Sequence, residues 1–161
     1  MGLASMTSRQ WLLAMAAACF AGEGLALVAQ HVFDMQPCPW CILQRVIYLV
    51  IAALCIAGAM VTAPLVRKAF AAGALLFALL GAASAVYQNV IAAKLYSCNL
   101  TLADKIIGAL GLESLVPWLF QVTASCADAA VTVLGVPFEF WSLALFALLA
   151  GMAARVLVRA A

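Results

Sequence analysis

The sequence predicts an all-α integral membrane protein in which four helices cross the bilayer. Hydrophobic residues make up 69% of the 161 residues and charged residues only 9%, with a mean hydropathy of +1.19. These values lie far outside those of water-soluble domains. The apolar residues are gathered in four long runs, and a spanning helix needs about 20 such residues. We therefore expect a single membrane domain over residues 1–161, built as a four-helix transmembrane bundle.

The four predicted spans cover residues 11–28, 41–61, 70–93 and 140–158. The first run is longer than the apolar core of a cleaved signal peptide, which has about 7 to 15 residues, and it carries Glu23 near its far end. We therefore interpret it as a retained helix. A tight turn containing Pro64, Arg67 and Lys68 joins the second and third spans. Two longer loops, 29–40 and 94–139, join the other spans.

The charged residues predict the orientation in the membrane. With four crossings, both termini and the turn at Arg67 lie on one side. That side carries basic residues and no acidic residue: Arg9, Arg67, Lys68, Arg155 and Arg159. Cytoplasmic segments are enriched in Lys and Arg, so we expect both termini in the cytoplasm. The two longer loops then lie on the opposite, outer side, where acidic residues outnumber basic ones.

Four of the six cysteines lie in or beside the outer loops. Cys38 and Cys41 form a Cys-x-x-Cys pair, whereas Cys98 and Cys126 form a wide pair with 27 residues between them. A Cys-x-x-Cys pair suits reversible thiol exchange, and the outer compartment permits disulfides. Four such cysteines allow three pairings, so the resting pairing stays open. The other two lie within apolar spans, where we interpret them as small hydrophobic residues: Cys19 and Cys55.

The Cys-x-x-Cys pair coincides with the predicted start of the second span. Pro39 suits the first position of a helix, which places Cys38 at the helix start and Cys41 in the first turn. Helix N-termini favour the thiolate, the reactive form of cysteine. Arg45 lies on the same helical face as both cysteines. We expect it to stabilise a thiolate or to donate to an oxygen of a bound electron carrier; the alternative is an anchor at the membrane interface.

Two polar residues of the first helix are further candidates. Glu23 lies within the span between Gly22 and Gly24, and it serves either as a hydrogen-bonding group in helix packing or as part of a proton route. His31, at the end of the helix, is either a proton carrier or an interfacial polar residue. Residues 115–120 are too few to span the bilayer and too apolar to be freely solvated. We expect them to lie on the outer leaflet or to pack against the helix ends.

In combination, these residues resemble the DsbB family of bacterial disulfide bond formation proteins. The resemblance extends over nearly the whole chain and is carried, in order, by Glu23, Gln30, His31, Pro37 to Cys41, Arg45, Cys98, Cys126 and Pro137 to Trp141. It implies an enzyme of the bacterial inner membrane that oxidises the dithiol of a periplasmic DsbA-like protein and reduces a membrane quinone. The outer side would then be the periplasm.

The resemblance also implies a role for each cysteine. Cys98 would form the mixed disulfide with the partner, Cys126 would exchange with Cys38, and Cys41 would face the quinone, which is ubiquinone or menaquinone. Arg45 would lie beside a quinone oxygen. Gln88 and Asn89 stand in a region where some relatives have a histidine near the quinone, and we assign no role to Asn89.

Two other classes of protein share part of this pattern. A vitamin K epoxide reductase-like enzyme also combines a four-helix bundle, a Cys-x-x-Cys pair and a quinone, but its pair usually lies late in the chain. A non-enzymatic membrane scaffold with structural disulfides would show no thiol reduction. A metal site would need a second short ligand spacing, and haem attachment would need a histidine directly after Cys41. We expect neither, and no nucleic-acid partner.

Overall fold

The structure is a computed structural model that describes residues 6–94 and 101–158. In chain order its elements are α1 (Ser8–Val32), α2 (Pro39–Met60), α3 (Pro64–Val90), a 3-10 turn (Ala92–Lys94), α4 (Leu102–Leu110), α5 (Leu112–Leu115), α6 (Pro117–Phe120), β1 (Thr132–Val133), β2 (Val136–Pro137) and α7 (Phe138–Val158). Within the described ranges, four helices are long and apolar enough to cross a membrane: α1, α2, α3 and α7. The predicted fold class, a four-helix membrane bundle, is confirmed.

Proline and a capping box set the starts of the first three long helices. Thr7 caps α1 by a reciprocal pair of hydrogen bonds with Gln10, and both α2 and α3 begin with proline, whose fixed φ suits the first helical position. Because α3 begins at Pro64, Arg67 and Lys68 belong to its first turn. The prediction that placed both charges in the connecting turn was therefore wrong, and that turn is only residues 61–63.

The four long helices pack in a ring, with α1 on α2, α2 on α3, α3 on α7 and α7 on α1. The contact between α3 and α7 is close because Gly81 faces the fully buried ring of Phe146. Of the two glycines beside Glu23, only Gly22 lies at a helix contact, against Leu145, whereas Gly24 has no neighbour within 4 Å of an added Cβ.

The second loop is largely folded, which the sequence analysis missed by treating residues 94–139 as one polar interval. Thr101 and Asp104 form a capping box at the start of α4. Ala103 and Ile107, one helical turn apart, are buried, and α4 packs on α2. A short hairpin, β1 and β2, then leads into α7. The loop thus covers the end of α2, where the Cys-x-x-Cys pair begins.

Candidate thiol exchange site

The Cys-x-x-Cys pair caps helix α2. Cys38 is the N-cap residue in an extended conformation, and its sulfur accepts a hydrogen bond from the backbone N–H of Cys41 at 3.4 Å. The two sulfurs lie 2.9 Å apart, a thiol contact rather than a disulfide bond. Cys38 is fully buried, and Cys41 is partly exposed. The placement of the pair at the start of α2 agrees with the expectation from Pro39.

Backbone contacts between the two loops place Cys126 beside Cys38. The carbonyl oxygen of Pro37 accepts hydrogen bonds from the backbone N–H groups of Thr123, at 3.1 Å, and Ala124, at 3.3 Å. Cys126 follows two residues later, is buried, and lies within hydrogen-bonding reach of the Cys38 thiol. Cys38 therefore touches both other sulfurs. The structure arranges Cys126, Cys38 and Cys41 in a row with Cys38 in the middle.

The hydrogen bonds along this row separate the acidities of the Cys126 and Cys38 thiols. The Cys38 thiol, by donating to the Cys126 sulfur, lowers the pKa of Cys126, and the Trp40 backbone adds to this effect, while burial opposes it. The pKa of Cys38 is raised well above its ordinary value because its proton is held by Cys126 and Cys41 and because the thiol is buried. Cys126 is thus the more readily ionised of the two and suits the attacking role.

Arg45 is buried inside the bundle. Its Nη1 donates to Gln30 Oε1 and to the carbonyl oxygen of Leu119, both at 2.7 Å, and its Nη2 donates to the carbonyl oxygen of Ala26 at 3.4 Å. Its Nε lies 3.7 Å from Glu23 Oε1. With the side chain only 5% exposed, Arg45 does not reach outward as an interface anchor does.

Glu23 and His31 have different surroundings. Glu23 is buried beside Arg45, and neither carboxylate oxygen has a hydrogen-bond partner among the described residues. His31 is exposed, and its Nε2 lies 3.1 Å from the carbonyl oxygen of Trp118. Arg45 donates to the next carbonyl oxygen, that of Leu119. The side chains of His31 and Arg45 therefore connect α6 to α1 and α2. Phe120 is buried there, which fits the packing alternative for residues 115–120.

A chain of polar side chains, three of them buried, links Cys41 to α3 and α7. The side chains of Tyr48, Ser142, Gln44 and Gln88 are hydrogen-bonded in that order, and Gln88 Nε2 contacts both Cys41 Sγ and Glu139 Oε1. This chain was not predicted from the sequence, and the predicted loop 94–139 wrongly included Glu139. Glu139 lies in the first turn of α7 and is 3% exposed. The available signal was the occurrence of glutamines inside apolar spans.

Two cavities border opposite faces of α2. A small cavity of about 60 Å³ is lined by Cys41, Gln44, Arg45 and Tyr48 together with residues of α1, α7 and the first loop. An open apolar groove of about 1080 Å³ lies on the other face, lined in part by Trp40 and Cys126. Only the small cavity brings Cys41 and Arg45 together.

The remaining predicted residues are placed as follows. Cys19 and Cys55 are buried in the helix bundle, in agreement with their interpretation as packing residues. Cys98 lies outside the described residues. Within residues 6–94 and 101–158, no three His, Cys, Asp or Glu side chains gather as metal ligands would.

Comparison with known proteins gives one consistent result. A family model described as DsbB, disulfide bond formation protein DsbB, matches residues 8–156. Disulfide bond formation protein B of Stutzerimonas stutzeri is 35% identical over 74% of this chain and 76% of its own. Disulfide bond formation protein B 1 of Pseudomonas syringae pv. syringae is 34% identical over 94% and 90%, and that of Pseudomonas aeruginosa 32% over 86% and 87%. Because the match extends over nearly the whole chain and includes both ends of the bundle, this chain belongs to the DsbB family.

Proposed function

We propose that this protein reoxidises the dithiol of a periplasmic DsbA-like protein and passes the electrons through its two cysteine pairs to a membrane quinone. As a member of the DsbB family with four spanning helices, it is a multi-pass inner-membrane oxidoreductase of disulfide bond formation. The observation that carries the finer proposal is the row of sulfurs, in which Cys38 contacts both Cys126 and Cys41.

Thiol exchange along this row balances in electrons and protons. A partner thiolate attacks Cys98 in the Cys98–Cys126 disulfide, Cys126 leaves as a thiolate, and the second partner thiol completes the partner's disulfide. The Cys126 thiolate attacks Cys38 in the Cys38–Cys41 disulfide and releases the Cys41 thiolate. The Cys98 thiol then restores the outer disulfide and leaves Cys38 and Cys41 as a dithiol. Two electrons and two protons have moved inward.

The residues around Cys41 fit a quinone as the final acceptor. When bound, a quinone takes up two electrons and two protons and becomes a quinol. Its carbonyl oxygens need hydrogen-bond donors. Nη2 of Arg45 carries two N–H groups, and among the described residues only Ala26 accepts from it, so one N–H is free, and Arg45 lines the cavity. Ala26 and Ala29 contribute small apolar side chains to the same cavity. Ubiquinone and menaquinone both present such carbonyl oxygens.

The size of this cavity adds a condition. The cavity is small, about 60 Å³, and we infer that neighbouring residues move when a substituted quinone enters it. Met35, Gln36 and Pro37 of the first loop line the cavity. We expect this loop to be the segment that moves, because it connects two helices and is not itself helical. The carbonyl oxygen of Pro37 also accepts hydrogen bonds from Thr123 and Ala124. Movement of Pro37 would therefore shift the segment that contains Cys126.

The experiment mixes purified protein with a reduced DsbA-like partner and a water-soluble ubiquinone or menaquinone analogue, and follows quinone absorbance. We expect one quinone to be consumed per partner disulfide formed. Cys41→Ser should abolish consumption, whereas Cys55→Ala, which alters a buried cysteine outside the sulfur row, should retain it. Absence of quinone loss with the unaltered protein, or equal loss in Cys41→Ser, would refute the proposal.

A further inference from the structure

We propose that Gln88 is a further catalytic residue, whose side-chain amide donates a hydrogen bond to the Cys41 sulfur and stabilises it as a thiolate during exchange. Gln88 lies on α3 and is 2% exposed, and its Nε2 is 3.2 Å from Cys41 Sγ. The inference rests on the proposed function only in taking Cys41 as an exchanging thiol.

The orientation of the Gln88 amide follows from its other contact. Gln44 Nε2 donates to Gln88 Oε1 at 2.8 Å, so the oxygen of Gln88 points to α2 and its NH₂ group points away. The two hydrogens of this NH₂ group face two acceptors, Cys41 Sγ and, at 3.4 Å, Glu139 Oε1. Reversing the amide would set oxygen against both acceptors and nitrogen against a donor. With Gln44 as the donor to its oxygen, the Gln88 amide places its NH₂ group toward Cys41 and Glu139.

The next residues fix the orientation of Gln44 in the same way. Ser142 Oγ donates its only hydrogen to Gln44 Oε1 at 2.5 Å. The Tyr48 hydroxyl lies 2.8 Å from Ser142 Oγ and also donates to the Ser142 carbonyl oxygen at 3.1 Å. The donors of Ser142, Gln44 and Gln88 therefore follow one another toward Cys41. Gln44, Ser142 and Tyr48 are positioning residues, since they act on the sulfur through Gln88.

A donor at this place acts differently on the three states of the sulfur. A thiol or disulfide sulfur is a weak acceptor, whereas a thiolate carries a full negative charge and forms a charge-assisted hydrogen bond. The interaction is further strengthened because Gln88 and Gln44 are buried, where the dielectric constant is low. Gln88 thus favours the state in which Cys41 has just been released from its disulfide. Such selective stabilisation is what accelerates a step.

Glu139 explains why a neutral donor is needed here. Its buried carboxylate would lie close to a thiolate of the same sign, and the Gln88 amide is placed between them with one N–H for each. A carboxylate at position 88 would remove both donors and add a second negative charge. Gln88→Glu has almost the same shape as the original residue and keeps an oxygen for Gln44. It therefore preserves packing while it removes the donors and adds a charge, and Gln88→Met removes the donors without the charge.

The test measures the alkylation rate of Cys41 by iodoacetamide at about pH 7, since only the thiolate reacts at an appreciable rate. Cys38→Ala is introduced so that Cys41 has no exchange partner beside it, and the modified peptide is quantified by mass spectrometry. Quinone and partner protein are both omitted. A failure of the proposed electron transfer would leave this measurement unchanged, so the two hypotheses are tested separately.

We expect Gln88→Glu and Gln88→Met to slow alkylation of Cys41 by about tenfold, the effect of losing one hydrogen bond to a charged group. Ser142→Ala should slow it to a smaller extent, because Gln44 then loses the group that orients it. Asn89→Leu is the matched control on the next residue of α3, outside the network, and should leave the rate unchanged.

Thermal unfolding of each variant shows whether the bundle is intact. Unchanged alkylation in folded Gln88→Glu and Ser142→Ala would overturn the proposal, and these two variants decide the question if Gln88→Met fails to fold. A purely structural role for Gln88 predicts that the folded Gln88→Met variant, which lacks the donor but adds no charge, reacts as fast as the parent.

Discussion

Arg45 donates a 2.7 Å hydrogen bond to the carbonyl oxygen of Leu119, so a side chain of a membrane-spanning helix holds the second loop, which carries Cys126. The same nitrogen holds Gln30 at 2.7 Å, and the guanidinium lines the cavity beside Cys41. One residue therefore supports both ends of the proposed electron path. Its substitution should affect the position of the loop as well as the cavity.

We expect Arg45→Ala to lower the free energy of unfolding by about 3 kcal/mol, because it leaves the buried carboxylate of Glu23 without its counter-ion. Denaturant unfolding in detergent micelles measures this loss. Arg45→Ala combined with Glu23→Gln should be more stable than Arg45→Ala alone, since the remaining buried group is then neutral. Equal stability of the single and double variants would show that Glu23 and Arg45 do not interact.

The acidity of Cys126 should depend on Cys38. The Cys38 thiol donates to the Cys126 sulfur and lowers its pKa, so Cys38→Ala should raise the pKa of Cys126 toward the ordinary value. Because a higher pKa leaves less thiolate at a given pH, the alkylation of Cys126 should then require a higher pH. Site-resolved alkylation across a pH series measures this shift. An unchanged pH profile would exclude a hydrogen bond from Cys38 as the cause.

Gly81 should tolerate no larger residue. A Cβ at this position would lie 2.2 Å from the ring of Phe146, which is fully buried and stacked on Tyr48. Forcing an extra methyl group into such a contact costs about 1 to 3 kcal/mol, so Gly81→Ala should lower the unfolding temperature. Gly151→Ala is the matched control, because nothing lies within 4 Å of its added Cβ. Equal unfolding temperatures for both variants would contradict this packing.

Leu134 occupies a left-handed conformation that suits another residue. Its φ is +54° and that of Gly135 is +78°, the pattern of a two-residue hairpin turn that prefers Asn-Gly. The Leu134 side chain is 88% exposed. We expect Leu134→Asn to stabilise the protein by about 0.5 to 1 kcal/mol because asparagine tolerates this φ better than leucine. A lower unfolding temperature for Leu134→Asn would show that the leucine contributes contacts beyond this turn.

The four long helices and the position of the Cys-x-x-Cys pair could be predicted because both depend on local sequence patterns. Apolar runs of spanning length gave the bundle, and Pro39 placed Cys38 at a helix start, as the structure has it. The position of the Cys-x-x-Cys pair on the second helix argued against the vitamin K epoxide reductase-like alternative, and the family match agrees. Each of these inferences uses residues that are neighbours in sequence or a pattern known from relatives.

The remaining parts of the site depend on contacts between distant residues. Gln88 and Glu139 meet because α3 and α7 are neighbours in the ring, and no periodicity in either helix reveals this pairing. Cys126 reaches Cys38 through the carbonyl oxygen of Pro37, a backbone group that carries no signal of its own in the sequence. The sequence of α4 contains an amphipathic pattern that includes Ala103 and Ile107. The helix is only nine residues long, so this pattern is a weak signal.

Cys38 is the proposed junction between the Cys98–Cys126 pair and the Cys38–Cys41 pair. Disulfide mapping tests this role directly. In a protein carrying Cys98→Ala and Cys41→Ser, Cys38 and Cys126 each lose their other proposed partner but keep their mutual contact. After mild oxidation and digestion without reductant, we expect mass spectrometry to find a peptide pair linked by a Cys38–Cys126 disulfide. Recovery of Cys38 and Cys126 as separate thiols, with the bundle still folded, would contradict the account.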